Sequence, residues 1–160
     1  MGSDYESVMA VLGGFICVIG LIFLVLWILN IVGMWKTFTK AGAPGWAAIV
    51  PFYNIYTQIK LCGPDSMFFA WLGCWVVDFI LTLIQRMIGG GAFIGFLAFI
   101  AGAALFVVNV FALYKLAKVF GKGIGFTVGL VLLQPIFIMI LGFGSAEYDP
   151  SNVDMDSWVN

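Results

Sequence analysis

The stretch SVMAVLGGFICVIGLIFLVLWILNIVGMW (Ser7–Trp35) carries no charged side chain. A hydrocarbon core about 30 Å thick needs roughly 20 apolar helical residues, so this run crosses a bilayer with length to spare for tilt. Asp4 and Glu6 precede it and Lys36 ends it. A secretory leader opens on positive charge and has a short apolar core. Here the leading charges are acidic and the run is long, which predicts an uncleaved membrane span over about 8–35. The composition agrees: 63% of the 160 residues are hydrophobic and 9% are charged, against about 25% charged in soluble domains. The mean hydropathy is +1.12.

Outward from that run, the hydropathy predicts an all-α integral membrane protein with four transmembrane helices and a single membrane domain over 1–160. The further spans fall at about 66–85, 92–114 and 124–143. Arg86 and the triplet Gly89-Gly90-Gly91 mark the turn after the second. Lys115, Lys118 and Lys122, with Gly121 and Gly123, mark the end of the third. Residues 144–160 form a polar tail with Glu147, Asp149, Asp154 and Asp156.

Four spans make the basic residues a compass. Three lysines (Lys36, Lys40, Lys60) lie between the first and second spans and three more (Lys115, Lys118, Lys122) between the third and fourth. Arg86 alone lies in the opposite loop. Such a bias in short loops places the lysines in the cytoplasm. The expectation is therefore an N-terminus and a C-terminus both outside, with the acidic tail external.

The segment 44–62 (PGWAAIVPFYNIYTQIKLC) differs in kind. Pro44 suits a first helical turn, and Pro51 predicts a break into two short helices. Phe52, Ile55 and Ile59 form one apolar stripe at helical spacing. Trp46, Tyr53 and Tyr56 are types that settle at headgroup depth, interleaved with Asn54, Gln58 and Lys60. Two arrangements fit: a helix pair lying in the plane of the cytoplasmic leaflet, or a re-entrant hairpin whose Asn54 and Gln58 line a cavity.

Asp78 is the one ionisable side chain inside an expected span. Such residues face a bundle interior or a water path. Asp78 is therefore either an ion or proton site, with Asn109 and Gln134 as further polar lining, or one half of an ion pair with Arg86, two turns away. Asn30 and Asn109 also suit interhelical hydrogen bonding. Gln134 precedes Pro135 in mid-span, where its amide would satisfy a carbonyl freed by the proline. Small residues recur every four positions at Gly91 and Gly95, at Ala98 and Gly102, and at Gly121, Gly125 and Gly129, a spacing that suits close helix packing.

Much chemistry is excluded. There is no histidine, which removes histidine acid–base catalysis and histidine metal sites. Cys17, Cys62 and Cys74 form no CxxC, the lone intramembrane aspartate is half of an aspartyl protease pair, and GKGIGFTVG (Gly121–Gly129) lacks the P-loop ending. We expect no catalytic residue, no metal and no cofactor, and the net charge of −1 points away from nucleic acid.

Two motifs look familiar. One is Trp35, Phe38, Lys40, Ala41, Gly42, Pro44, Gly45, Trp46, Ala47, Pro51, Tyr53 and Asn54. The other runs from Ala117, Lys118, Phe120, Gly121, Lys122, Gly125, Phe126, Gly129 and Leu130 to Pro135 and LGFGSAEY (Leu141–Tyr148). Together they resemble a family of small bacterial multi-pass membrane proteins of unknown function, similar domains of which are sometimes joined to signal peptidase I. The resemblance implies a bacterial inner-membrane address and an accessory role near secretion or envelope machinery. The leading expectation is a non-enzymatic scaffold or accessory subunit, oligomeric or attached to another membrane protein. The alternatives are a small ion channel or ion-coupled transporter using Asp78, and a protein that binds anionic lipid. The interfacial contacts for lipid or a partner would be Lys36, Lys40, Trp46, Tyr53, Asn54, Tyr56, Lys60, Lys115, Lys118 and Lys122.

Overall fold

The computed structural model describes residues 2–88 and 91–156. The expected turn at Gly89-Gly90 and the last four tail residues lie outside the described residues. Among the described residues the chain is all-helical: α1 (Gly2–Lys40), a 3-10 turn (Gly45–Ala48), α2 (Tyr53–Lys60), α3 (Asp65–Ile88), α4 (Gly91–Val119), α5 (Ile124–Leu132), α6 (Gln134–Phe143) and a second 3-10 turn (Pro150–Asn152). Three helices are long and apolar enough to cross a membrane: α1 from Tyr5, α3 and α4.

α3 and α4 form an antiparallel hairpin. Asp78 faces Gly102, Gln85 faces Gly95, and Trp71 and Met67 share a buried cluster with Ala112. α1 and α4 end in the same device. Gly42 (φ +77) and Gly121 (φ +67) take the left-handed conformation, and the next residue's N–H reaches back five positions, from Ala43 to Phe38 and from Lys122 to Ala117. This is the glycine-terminated helix end that only a residue without Cβ adopts freely. Both stops sit among the lysines.

Residues 124–143 depart from the expected fourth span. They form two helices of 9 and 10 residues, each shorter than the roughly 20 residues a crossing needs. At Leu133 (φ −133, ψ 50) the chain doubles back. Phe126 and Phe137 lie 5.1 Å apart, whereas eleven residues of straight helix would separate them by about 16 Å. Gly129 lets the Phe137 ring close against α5. Pro135 stands in the first turn of α6, where its missing N–H goes unused, and not in a helix interior as expected.

The return arm α6 then runs parallel to the end of α1. Gly33 meets Ile138 and Met139, and Gly142 meets the Gly33 carbonyl and Thr37. Beyond them, Lys40 Nζ donates to the carbonyl oxygens of Leu141 and Gly144 at 3.0 and 2.7 Å. α6 therefore ends where α1 ends, among the lysines.

The tail stays there, which corrects its expected place on the opposite side. The Tyr148 hydroxyl donates to the Leu61 carbonyl at 2.7 Å, its ring packs on Phe120, and the Asp149 N–H donates to the Val119 carbonyl. Val153 is buried in the main cluster with Phe38, Leu116 and Leu141. Six lysines, Asp65 and the acidic tail thus share one end of the molecule, and Arg86 closes α3 at the other.

The glycines of the α1–α6 contact carry a test. A Cβ on Gly33 would fall 2.8 Å from Ile138 and one on Gly142 would fall 2.7 Å from the Gly33 oxygen, while Gly14 has open space. Gly33→Leu or Gly142→Leu should cost about 1–3 kcal/mol by overpacking and lower the thermal midpoint in detergent. Gly14→Leu should leave it unchanged.

Candidate functional site

The segment after α1 turns inward from the lysine end. Pro44 precedes the first 3-10 turn, and Gly45 lies flat against the Trp35 indole. The break expected at Pro51 is there, and Phe52 follows it with φ +63, a conformation costly to a residue with a Cβ. The Phe52 ring packs against Trp71 and Trp75. α2 then climbs back along α3, with Tyr56 on Phe68 and Ile59 beside Met67, until Lys60 reaches the level of Asp65. Asn54 Nδ2 donates to the Ala48 carbonyl at 3.2 Å and ties the two arms together.

Between this hairpin, α1, the α3–α4 pair and the tip of the α5–α6 hairpin lies a cavity of about 400 Å³. Five carboxamides converge on it from four elements: Asn30 of α1, Asn54 and Gln58 of α2, Asn109 of α4 and Gln134 of α6. Trp27, Trp71, Pro51 and aliphatic side chains complete the wall, and among the described residues no ionisable side chain lines it. Asn109 Nδ2 donates to the Leu105 carbonyl of its own helix. Asn54 Oδ1 and Trp71 Nε1 are buried without a partner. Buried polar groups are ordinarily paired, so each unpaired one calls for an explanation.

Of the residues expected to form an intramembrane polar site, Asn109 and Gln134 meet in this cavity, and Asp78 stands apart. Its carboxylate looks onto Gly102, 3.5 Å from where a Cβ would be, in the α3–α4 seam. Asp78 and Arg86 do not form the expected ion pair. Arg86 lies among Phe79, Thr82 and Leu83, because eight helical residues leave the two side chains about 12 Å apart along the axis and on different faces.

The interfacial contacts separate in the same way. Trp46 stacks on Tyr53 at 5.1 Å. Lys36, Lys60, Lys118 and Lys122 lie over the rings of Phe143, Tyr56, Tyr114 and Phe126. Lys60 donates to the Tyr56 hydroxyl, a bond that raises its pKa. Lys40 caps α6 instead of facing outward. Lys115 is 1% exposed and donates to the Asp154 carbonyl at 2.9 Å, so the tail covers it and the expected lipid contact is not made. Among the expected packing glycines, Gly95 and Gly129 make close contacts. Gly91 and Gly121 hold positive φ at helix ends, and Gly91, Gly121 and Gly125 face open space.

Sequence reading passed over Trp71 and the close pair Gly33 and Gly142. The signal for Trp71 was its heptad offset from Asp78, which puts both on the α4-facing side of α3. Gly33 and Gly142 carried no spacing signal, because they lie on different helices.

Long apolar helices, short helices folded back between them and a polar cavity within define a multi-pass helical membrane protein. The chain belongs to a family of unknown function (DUF5684), whose model matches residues 46–150, from the first hairpin to the tail. No curated protein matches it, and no solved structure does.

Burial beneath the tail pushes the Cys62 thiol up to about 12. A pKa raised on folding contributes stability that is intact below the unfolded value and lost as pH rises toward the folded one. Stability should therefore fall between about pH 9 and 12, and Cys62→Ala should flatten that limb in alkaline unfolding curves. In the native protein at pH 8 a hydrophilic maleimide should leave Cys62 unmodified.

Proposed function

We propose that this protein is a non-enzymatic bacterial inner-membrane protein that crosses the bilayer three times and holds a binding compartment for a polar molecule at membrane depth. The convergence of five carboxamides from α1, α2, α4 and α6 on one cavity carries this reading. In hydrocarbon, polar side chains and non-helical backbone are tolerated where protein or water covers them. The cavity supplies that cover for the break at Pro51 and for Gln134, the residue after the break at Leu133. On this reading both the 45–60 and 124–143 segments are re-entrant hairpins from the lysine side, and their tips meet at the amides.

Positive-inside bias counts Lys and Arg and gives acidic residues little weight. The lysine end is then cytoplasmic even with the acidic tail beside it, the N-terminus is outside and the C-terminus is cytoplasmic. In a chain cleared of its native cysteines, Ser151→Cys should label from the cytoplasm and Ser7→Cys from outside. Labelling of both from one side would remove the three-crossing threading.

The compartment has its own test. Asn109→Cys should react with a small hydrophilic thiol reagent at least tenfold faster than Val107→Cys, which faces outward on the same helix. Equal rates would remove the cavity reading.

A second reading is favoured by α1. From Tyr5 to Leu24 every residue is exposed, and Gly13, Gly14 and Gly20 have nothing within 4 Å of a Cβ. Such a helix suits lateral association with a second copy or another membrane protein, in keeping with an accessory role beside secretion or envelope machinery.

A further inference from the structure

The geometry points to a ligand class for the cavity: we propose that it binds a small uncharged solute whose edge presents hydrogen-bond donors and acceptors side by side, as a lactam, a primary amide or a vicinal diol does. The inference rests on the reading of the cavity as a binding compartment and deepens it.

The lining decides the charge. Among the described residues no Asp, Glu, Lys or Arg touches the cavity. The lysines are engaged at the end of the bundle, and Asp78 faces Gly102 in the α3–α4 seam. An ion entering would lose its hydration with no counter-charge to replace it, which is the most costly burial available to a polar group. A neutral solute has no such cost.

The amides decide the rest. A carboxamide carries one acceptor and one two-proton donor next to each other, so it pairs best with a group of the same alternation. Asn54 and Asn109 spend one donor each on backbone carbonyls. The side chains of Asn30, Gln58 and Gln134 make no hydrogen bond among the described residues. Gln58 is the telling one: it is 8% exposed, it lines the cavity, and its amide is left to bond whatever occupies that space. The wall around it also holds a buried acceptor, Asn54 Oδ1, and a buried donor, Trp71 Nε1, neither of them partnered. Trp27, Ile31 and Leu113 supply apolar surface on the remaining sides, suited to the faces of a ring. A volume of about 400 Å³ falls within the range of small-molecule sites, roughly 300–1,000 Å³.

The experiment uses the full chain in lipid nanodiscs and ligand-observed saturation-transfer NMR with pairs of related ring compounds, one neutral and one charged. Nicotinamide is compared with nicotinate and uracil with orotate, and myo-inositol serves as the diol arm. Saturable binding of at least one neutral probe is expected, with any charged partner at least tenfold weaker. Gln58→Leu and Gln134→Leu should each weaken that binding at least tenfold. Asn30→Leu repeats the test wherever a glutamine variant shifts the thermal midpoint. Equal binding of a charged partner, affinity unmoved by all three variants, or no saturable binding of any neutral probe overturns the proposal. If Asn109→Cys is reactive and no neutral probe binds, the ligand class alone is wrong. If Asn109→Cys is unreactive, the compartment reading fails with it.

Discussion

Gly33 and Gly142 bring the backbones of α1 and α6 into direct contact, and the lysine end is built around that approach. A Cβ at either glycine would collide with the opposite helix. Thr37, whose hydroxyl donates to the Gly33 carbonyl at 2.8 Å, occupies the same seam beside Gly142. Once α6 is seated, Lys40 caps its last carbonyls. Gln134 is then held one helix length inward, and the tail is delivered onto Leu61 and Val119. Within a membrane there is little hydrophobic force between helices, so close packing of this kind is what holds them together.

The same contact makes the cavity. α6 stops short of a crossing, and so does α2, whose Ile55 and Ile59, with Phe52 just ahead of the helix, pack against Trp71, Trp75 and Met67 of α3. Two short arms end at similar depth and leave a space that neither fills. Carboxamides suit such a space because they satisfy polar neighbours without adding charge. Asn109 and Asn54 show this directly, each bonding a nearby carbonyl while facing the cavity. The positive φ of Phe52 is strain placed at the tip of one arm, beside Pro51 in the cavity wall.

Much of this was legible in the residues. The length and charge-free character of Ser7–Trp35 required a membrane helix, Pro51 required a break, and Asn54 and Gln58, four residues apart, had to share a face of α2. The direction of 124–143 was not legible. Twenty apolar residues around a central Pro135 have the same composition whether they pass through or turn back. The choice rests on Phe137 finding Gly129 and on Gly142 finding Gly33, contacts between positions that no spacing rule connects. The side of the tail followed from that choice, and so did the burial of Lys115, which stands in sequence as one more lysine of a basic loop.

The sequence by itself determined where charge is tolerated: long apolar runs with Asp78 as the one ionisable side chain inside them, six lysines in two short loops, and neutral amides as the main polar groups between. That is a matter of transfer cost, which each residue carries wherever it stands. Only the tertiary structure decided which short helices fold back, and so which amides meet. Asn30, Gln58, Asn109 and Gln134 are spread over more than a hundred positions of the chain, and a shared cavity is a property of packed backbones and of no single segment.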